Sequence, residues 1–259
     1  MKLLDNNDDA LLSIGDPAPV EWVNEESHSP VMLLCEHGGN QLPINQNSLG
    51  LSAETLKEHI AWDIGAAEVA RKVAALLQAP LLIQRYSRLL IDCNRPPNTA
   101  ESIPERSDGV VIPGNSNLSH QQRLSRQLEI FNPLDDAIKE SLARHPIKAA
   151  FSIHSFTPQM RDEKPRPWHA GFLSRTDRRT SEAMINVVKQ KRPELTLAIN
   201  EPYAIDDESD WFIPHYAESN NLVHCLIEIR NDQLRTDEGV DLWAKLVALA
   251  IGAVTKDIS

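Results

Sequence analysis

The chain has 259 residues, of which 41% are hydrophobic and 24% are charged, and its formal net charge is −11 at pH 7. This composition is ordinary for a soluble globular protein, and it excludes disordered and fibrous classes. The negative charge and the scattered arginines argue against nucleic acid as a partner. A local group of Arg85, Arg88 and Arg95 could still receive a small anion.

The cysteines and the N-terminal residues bear on the compartment of the protein. Cys35, Cys93 and Cys225 each lie in an apolar run without CxxC spacing, which indicates buried thiols rather than disulfides or a thiolate metal site. The first residues include acids where a signal peptide needs an apolar core, and no apolar run reaches membrane-spanning length. We therefore expect a cytoplasmic protein with no membrane partner.

The organising stretch near the N-terminus is VMLLCEHGGN, residues 31–40. Before it, residues 1–29 are polar, acidic and punctuated by prolines, which predicts an arm lying on a single domain that spans residues 30–259. The apolar run VMLLC predicts a buried strand, and Glu36, His37 and a glycine pair follow it in a predicted tight turn. The glycines would let a ligand approach the backbone closely.

Helical and strand-like segments alternate through the rest of the chain. A short helix is predicted over residues 52–62, and a stripe of apolar residues at helical spacing predicts a longer helix after Asp63. Further strands are predicted by short apolar runs that end in polar groups. Two of these strands end near residue 85 and at residue 92, and the others cover residues 148–156, 171–175, 195–203 and 222–232. Helices are predicted over residues 64–78, 119–144 with an interruption near Pro133, 177–192 and 238–256.

This alternation predicts a three-layer α/β/α domain built on a largely parallel, mixed central sheet. Three long polar loops interrupt the pattern, at residues 96–118, 157–171 and 204–221. A loop as long as residues 96–118 inside a compact domain is usually functional, for example as a lid.

Two imidazoles and two carboxylates lie at the ends of these elements. His37 and His154 terminate buried strands, Asp63 heads a helix, and Glu228 lies between isoleucines in the last strand. Two imidazoles and a carboxylate suffice to hold a catalytic metal, and a buried glutamate can act as a general base. Structural alternatives remain for each: a hydrogen-bonded histidine, a helix cap at Asp63, and an internal ion pair of Glu228 with Arg230 or another arginine.

Six segments carry a family resemblance. CEHGGN, HIAWDIGA, SRLLIDCNR, SIHSF, NEPY and IEIRND, in this order, resemble the N-formylglutamate amidohydrolase family over roughly residues 30–250. The resemblance implies a phosphorylase/hydrolase-like α/β fold, of the kind shared with zinc-dependent exopeptidases, and metal-dependent hydrolysis of an N-acyl amino acid.

The sequence is also similar, more distantly, to zinc amidases that cleave N-acetylmuramoyl-L-alanine bonds. In those enzymes a glycine-flanked histidine, an acid heading the next helix and a histidine in a later strand hold the metal. By position these are His37, Asp63 and His154, and Glu228 is the late acid that acts in catalysis. Asp63 stands where those amidases carry glutamate, so Glu36 is the alternative third ligand.

An N-acyl acidic amino acid presents carboxylates that the planar guanidinium of arginine binds well. The candidates for substrate binding are Arg95, Arg230, Arg85, Asn94 and Asn200, and Arg88 is a further candidate ranked after the other arginines. His215, in the third loop, is a candidate catalytic residue that would support the oxyanion. His59, near the end of the short predicted helix, is interpreted as structural.

The residues and the resemblance together imply a metal-dependent amidohydrolase that removes an N-formyl or another short N-acyl group from an amino acid such as glutamate, with zinc as the favoured divalent metal. One alternative is an N-acetylmuramoyl-L-alanine amidase or a carboxypeptidase-like hydrolase. Another is a catalytically silent relative that binds small anions.

Overall fold

The computed structural model describes residues 10–144 and 147–258, in which helices flank a seven-stranded sheet and a two-stranded hairpin lies apart. The strands are β1 (Val20–Val23), β2 (Val31–Cys35), β3 (Leu81–Gln84), β4 (Arg106–Ser107), β5 (Val110–Val111), β6 (Ala149–Phe156), β7 (Ala170–Leu173), β8 (Leu197–Ile199) and β9 (Val223–Arg230). The helices are α1 (Ala66–Leu77), α2 (His120–Arg126), α3 (Asn132–Arg144), α4 (Arg179–Lys191) and α5 (Asp237–Thr255).

The large sheet has the strand order β1-β3-β2-β6-β9-β7-β8. Its four central strands, β3, β2, β6 and β9, run parallel to one another, and β7 and β8 form a second parallel pair. β1 and β7 are antiparallel to β3 and β9. The predicted α/β class with a mixed, largely parallel sheet is therefore confirmed. The carboxyl ends of the four central strands meet at one edge of the sheet, where open α/β sheets bind ligands.

The inner strands of the sheet are buried on both faces, and their side chains alternate between two hydrophobic clusters. In β2, Leu33 and Cys35 pack in the cluster that includes residues of α1, α4 and α5. Met32 and Leu34 pack in the opposite cluster, which includes residues of α3. Such near-continuous apolar strands are typical of a parallel sheet covered on both faces.

The same period of two sets the direction of the polar residues in β6 and β9. Ile153 and Ile227 belong to the cluster of α1, α4 and α5, whereas Leu226 belongs to the cluster on the α3 face. His154 and Glu228 are each one residue beyond those isoleucines, and they are direct partners in the parallel register. Both side chains therefore lie on the α3 face, at the carboxyl end of the sheet.

Two predicted elements are wrong. The run of residues 88–92 is not a strand but a turn segment, in which Leu89, Leu90 and Ile91 are buried in the core. The apolar run reflects burial rather than strand pairing. Residues 52–62 contain a single turn of 3₁₀ helix, Thr55–Lys57, instead of the predicted short helix.

The predicted arm contributes to the sheet. Within residues 1–29, Val20–Val23 forms the edge strand β1 and pairs with β3. The interruption predicted near Pro133 is a π-helical turn, Gln127–Phe131, between α2 and α3. The three cysteines are free and buried, as predicted. None of the helices in the described part of the chain is both long enough and apolar enough to cross a lipid bilayer.

Candidate active site

Three elements bring the candidate metal ligands together. His37 lies two residues beyond the end of β2, and His154 lies near the end of the adjacent strand β6. Asp63 lies just before α1, and its backbone N–H donates a hydrogen bond of 2.9 Å to the carbonyl oxygen of His37. This hydrogen bond ties the start of the helix segment to the end of the strand, so residues 26 positions apart in sequence become neighbours.

The donor atoms of these three buried residues face one another. The Nδ1 atoms of His37 and His154 are 3.2 Å apart, and Asp63 Oδ2 lies 2.8 Å from His154 Nδ1 and 3.7 Å from His37 Nδ1. One ligand atom from each residue lies within 4.8 Å of the others, so the three could hold a metal ion.

The opposite nitrogen of each imidazole contacts a second carboxylate. Asp92 Oδ1 is 2.7 Å from His37 Nε2, and Glu36 Oε2 is 3.0 Å from His154 Nε2. Metal-binding histidines commonly donate their other N–H to a carboxylate, which fixes the tautomer and orients the ring. If both Nε2 atoms donate in this way, both Nδ1 atoms present lone pairs to each other and to the Asp63 carboxylate.

This donor set fits a divalent cation. Three electron-pair donors that converge in a buried space repel one another unless a cation or a proton lies between them. Burial and the nearby Arg88 guanidinium lower the pKa of His37 to about 4, so this ring is neutral at neutral pH. Burial opposes protonation of His154, but the Glu36 carboxylate outweighs that effect and raises the pKa of His154.

Asp63 has further contacts that hold its carboxylate in place. Oδ2 accepts a hydrogen bond of 3.1 Å from the backbone N–H of Ser155, and Oδ1 forms an ion pair with Arg88. His59 Nδ1 lies 3.7 Å from the same Oδ1. The Asp63 side chain is not a helix cap, because the N-cap residue of α1 is Gly65 and no side-chain cap hydrogen bond is made there. Both oxygens of Asp63 face groups of the site instead.

A cavity of about 390 Å³ opens over this cluster. The residues that line it come from the ends of strands, from the segments before α1 and after β3, and from the segment between β8 and β9. They are His37, His59, Arg88, Asn94, Arg95, His154, Ser155, Leu173, Pro202, Tyr203, Ala204, Ile205, Ser209, Asp210, Leu226 and Glu228.

Glu228 is one of the two acids that line this cavity. Its Oε2 is buried and has no hydrogen-bond partner among the described residues. Burial raises the pKa of Glu228, and this effect outweighs the opposing influence of His154 and nearby arginines. The structural alternative for Glu228, an ion pair with Arg230 or another arginine, does not form among the described residues, and Arg230 pairs instead with Asp232 at 2.8 Å.

The cavity includes some of the predicted substrate-binding residues. Arg95 lines it and donates to the Ser209 carbonyl oxygen. Asn94 lines it as well, and its Nδ2 donates to Asp210 at 2.8 Å while its Oδ1 accepts from two backbone N–H groups. These contacts hold residues 94–95 against residues 209–212, which precede β9.

Other predicted residues lie outside the cavity. Arg85 donates to the carbonyl oxygen of Ala18, and Arg230 donates to the carbonyl oxygen of Arg166. Asn200 has a positive φ of 54°, and its Oδ1 accepts from the backbone N–H of Ser174, which is a local structural role. These three side chains are engaged elsewhere and do not line the cavity.

His215 is also separate from the cavity. It lies in the π-helical turn Ile213–Glu218, it is exposed, and its ring stacks on Trp211 at a centroid distance of 3.9 Å. The prediction that His215 supports the oxyanion takes its segment as an irregular loop. The segment forms a π-helical turn that exposes His215, and the polar sequence of this stretch does not indicate such a turn.

The structure adds site residues that the sequence did not indicate. Asp92 is the hydrogen-bond partner of His37. In the sequence its one distinguishing feature is its position at the end of a predicted strand. Asp210 is a buried acid in the cavity, and burial together with the Glu36 carboxylate raises its pKa to about 6. Tyr203 and His59 also line the cavity. Glu36 contacts the far nitrogen of His154 rather than joining the three-residue cluster.

The glycine pair after His37 has a packing role. A Cβ atom on Gly39 would lie 2.0 Å from the carbonyl oxygen of Arg85, and one on Gly38 would lie 2.3 Å from Ile83 Cγ2. The turn therefore packs directly against β3 and the residue after it. The close approach that the structure shows is to the protein itself, to the Arg85 backbone at Gly39 and to the Ile83 side chain at Gly38.

Comparisons with known proteins give the family and the fold of the chain. The family model described as N-formylglutamate amidohydrolase matches residues 29–235. The structure of gene product Atu2144 from Agrobacterium tumefaciens is 31% identical, with a TM-score of 0.88, and the match covers 96% of this chain and 100% of that one. An N-formylglutamate amidohydrolase from Ralstonia eutropha JMP134 is 17% identical, with a TM-score of 0.61, and the match covers 93% and 98% of the two chains. A search of curated proteins found no match.

Proposed function

The chain belongs to the N-formylglutamate amidohydrolase family, and from this premise we propose that it is a metal-dependent hydrolase that removes an N-formyl or other short N-acyl group from an amino acid such as L-glutamate. The observation that carries the proposal is the convergence of two imidazole Nδ1 atoms and a carboxylate in a buried cavity. An unpartnered glutamate oxygen lies in the same cavity.

His37, Asp63 and His154 would hold the cation, which we propose is zinc, because two imidazoles and one carboxylate are a common ligand set of catalytic zinc sites. When bound, such a cation activates water and polarises the scissile carbonyl. Asp92 and Glu36, which contact the opposite nitrogens of the two rings, would orient the rings by accepting hydrogen bonds from them.

Glu228 is the proposed general base. It would take a proton from the attacking water and deliver it to the amide nitrogen as the C–N bond breaks. Water is thereby consumed, and formate and the free amino acid are released. A carboxyl with a raised pKa is suited to both transfers, because it binds the proton more tightly than an ordinary glutamate and still releases it.

Arg95 and Arg88 are the arginines that line the cavity, and we propose that Arg95 binds a carboxylate of the substrate. Arg88 lies against Asp63, next to the proposed cation. From this position its guanidinium can stabilise negative charge that develops on the carbonyl oxygen. Arg85 and Arg230 have no part in this proposal, because their guanidinium groups are engaged outside the cavity.

The test is hydrolysis of N-formyl-L-glutamate, followed as release of formate and of the primary amine. Purified protein is stripped with a chelator and reloaded separately with zinc, cobalt or manganese. We expect turnover that is lost on stripping and restored by at least one of these metals. An N-acetylmuramoyl-L-alanine substrate is assayed in parallel.

Two results would overturn the proposal. Faster turnover of the muramoyl substrate than of any N-acyl amino acid would identify a related amidase instead. A protein that binds metal and hydrolyses neither substrate would be the silent anion-binding relative. Arg95→Ala separates the roles further, because loss of a carboxylate contact should raise KM more than it lowers kcat.

A further inference from the structure

A chain of hydrogen bonds runs from the metal cluster to the segment of residues 209–213. Asp92 Oδ1, which lies 2.7 Å from His37 Nε2, also accepts a hydrogen bond of 2.9 Å from the backbone N–H of Asn94. The side chain of Asn94 in turn donates from Nδ2 to Asp210 Oδ2 at 2.8 Å. Asp210 is therefore linked through Asn94 and Asp92 to a proposed metal ligand that is distant in sequence.

The contacts of Asn94 fix the orientation of its amide. Oδ1 accepts hydrogen bonds from the backbone N–H groups of Trp211 and Phe212, at 3.0 and 3.1 Å. Because these donors face the carbonyl oxygen, the NH₂ group of the amide faces Asp210. Asp210 Oδ1 accepts from the backbone N–H of Ile213 at 2.7 Å, so each carboxylate oxygen has a defined donor. One arrangement of the two side chains satisfies all of these donors.

Burial makes the Asp210 carboxylate costly. The residue is 3% exposed, and a side-chain amide and a backbone N–H donate to it, both of them neutral. Burial raises the pKa of Asp210 to about 6, so its surroundings disfavour the charged form. An uncharged residue would cost less at this position if the contact served stability alone. The place of Asp210 in the wall of the catalytic cavity indicates a role in the site instead.

The same segment also holds the arginine that we propose binds the substrate carboxylate. Arg95 follows Asn94 directly, and its Nη1 donates to the carbonyl oxygens of Asn94 and of Ser209, the residue before Asp210. The backbone N–H of Trp211 donates to the Asn94 carbonyl oxygen at 3.1 Å. A displacement of this segment would therefore disturb Arg95 as well as the metal cluster.

We propose that Asp210 is a positioning residue, which through Asn94 holds Asp92 against His37 and keeps Arg95 in the wall of the catalytic cavity. This inference rests on the proposed amidohydrolase function. It adds a residue that couples the metal site to the site of the substrate carboxylate. Asp210 need not touch the substrate in this role, because the hydrogen bonds of Asn94 carry its effect to both sites.

The experiment uses three variants of the pair. Asp210→Asn loses one hydrogen bond, because the new amide must turn its NH₂ group toward either the Asn94 amide or the Ile213 N–H, and both are donors. Asp210→Glu keeps the charge but moves the carboxylate by one methylene. The double variant Asn94→Asp/Asp210→Asn exchanges the two side chains. It restores one donor and one acceptor at the contact and keeps an acceptor for each backbone N–H.

The first measurement is the affinity for zinc, determined by competition with a chelator. Asp210→Asn and Asp210→Glu should each weaken zinc binding by about threefold to tenfold, the typical contribution of one hydrogen bond. The double variant should return to within about twofold of the wild type, because its two substitutions compensate each other. An effect of charge alone would leave Asp210→Glu at the wild-type affinity.

The second measurement reports on Arg95 and does not depend on turnover. In calorimetric titration of the metal-free protein with N-formyl-L-glutamate, the Kd should rise by about threefold or more in Asp210→Asn and Asp210→Glu and recover in the double variant. At saturating zinc, the two single variants should raise KM more than they lower kcat, since a substrate contact is displaced.

Asp135→Ala is the matched control for general loosening of the segment. Asp135 lies in α3, does not line the catalytic cavity, and accepts hydrogen bonds from the side chains of Trp211 and Tyr216. Its loss should lower the free energy of unfolding and leave the affinity for zinc within about twofold of the wild type. The control thus separates loosening of the segment from the contact between Asn94 and Asp210.

Three results would overturn the inference: wild-type zinc affinity in folded Asp210→Asn and Asp210→Glu, no recovery in the double variant, or an equal loss of zinc affinity in Asp135→Ala. A wild type that binds zinc but hydrolyses no N-acyl amino acid would instead contradict the proposed function. The zinc affinities would still decide the role of Asp210.

Discussion

Replacement of Glu228 by glutamine tests the proposed general base. Glutamine has nearly the same shape as glutamate, but its amide cannot accept a proton from water at neutral pH. Glu228 is 6% exposed, and its Oε2 makes no hydrogen bond in the described structure, so the substitution breaks no hydrogen bond at that oxygen. Its closest functional neighbour along the sheet is His154, its partner in the register of β6 and β9.

The expected size of the effect follows from the role. General acid–base catalysis contributes about 10²- to 10⁴-fold to rate, which corresponds to roughly 3–5 kcal/mol in the activation free energy. We expect kcat of Glu228→Gln to fall by at least about a hundredfold. The metal content should stay at the wild-type level, because Glu228 is not one of the three clustered ligands.

The assay combines steady-state kinetics on N-formyl-L-glutamate with elemental analysis and thermal unfolding of the same preparation. We expect an intact fold, because the substitution removes a buried carboxylate that has no paired cation. Loss of the metal together with the activity would make Glu228 a ligand. Activity within a few-fold of wild type would refute the proposed proton transfer.

Three further substitutions test a contact of the site, the packing of the turn after β2, and a buried carboxylate in α3. Asp92→Asn weakens the contact behind His37, so the affinity for zinc should fall by about 10- to 100-fold in a competition titration with a chelator; an unchanged affinity would remove Asp92 from the site. Gly39→Ala forces a Cβ atom against the Arg85 carbonyl oxygen and should lower the free energy of unfolding by about 1–3 kcal/mol or more in urea denaturation, whereas equal stability would mean that the turn can shift freely. Asp135→Ala leaves the Nε1–H of Trp211 and the O–H of Tyr216 without their carboxylate acceptor. This loss should lower the free energy of unfolding by about 1–3 kcal/mol at neutral pH. Burial opposes ionisation of Asp135, but its hydrogen bonds outweigh that effect and lower its pKa below the ordinary 3.8. The stabilisation is therefore present above pH 3.8 and should be lost as the pH falls through the lower, folded-state pKa. A difference in unfolding free energy between wild type and Asp135→Ala that does not shrink in acid would contradict this assignment.

The sequence predicted the elements that rely on local pattern. The apolar runs of β2, β6 and β9 and the helical stripe of α1 each report burial at a recognisable period, and all four elements are present. The convergence of His37, Asp63 and His154 could be predicted as well, because parallel strands end at a common edge of the sheet.

The contacts between separate loops could not be predicted. Asp92 contacts His37 only because the segment of residues 88–92 folds as a buried turn instead of the expected strand. The position of Arg230, two residues after Glu228 in the sequence, predicts a role in substrate binding. In the structure Arg230 is the last residue of β9, and its side chain pairs with Asp232. Such outcomes depend on how loops pack in three dimensions, and a single sequence carries no direct signal of that packing.

His59 illustrates the same limit. Its neighbours in sequence predicted a short helix, and the imidazole was interpreted as structural. The segment instead forms one 3₁₀ turn, Thr55–Lys57, followed by extended backbone at Glu58. His59 thereby lines the catalytic cavity. Neither the spacing nor the composition of this segment distinguishes these two outcomes.

The metal content of His154→Ala, measured beside the wild type by elemental analysis, is the most direct test of the claim that His37, Asp63 and His154 hold one divalent cation. We predict one equivalent of metal per wild-type chain after loading and desalting, and almost none in a folded His154→Ala protein. A full equivalent of tightly bound metal in that variant, or none in the wild type, would contradict the account.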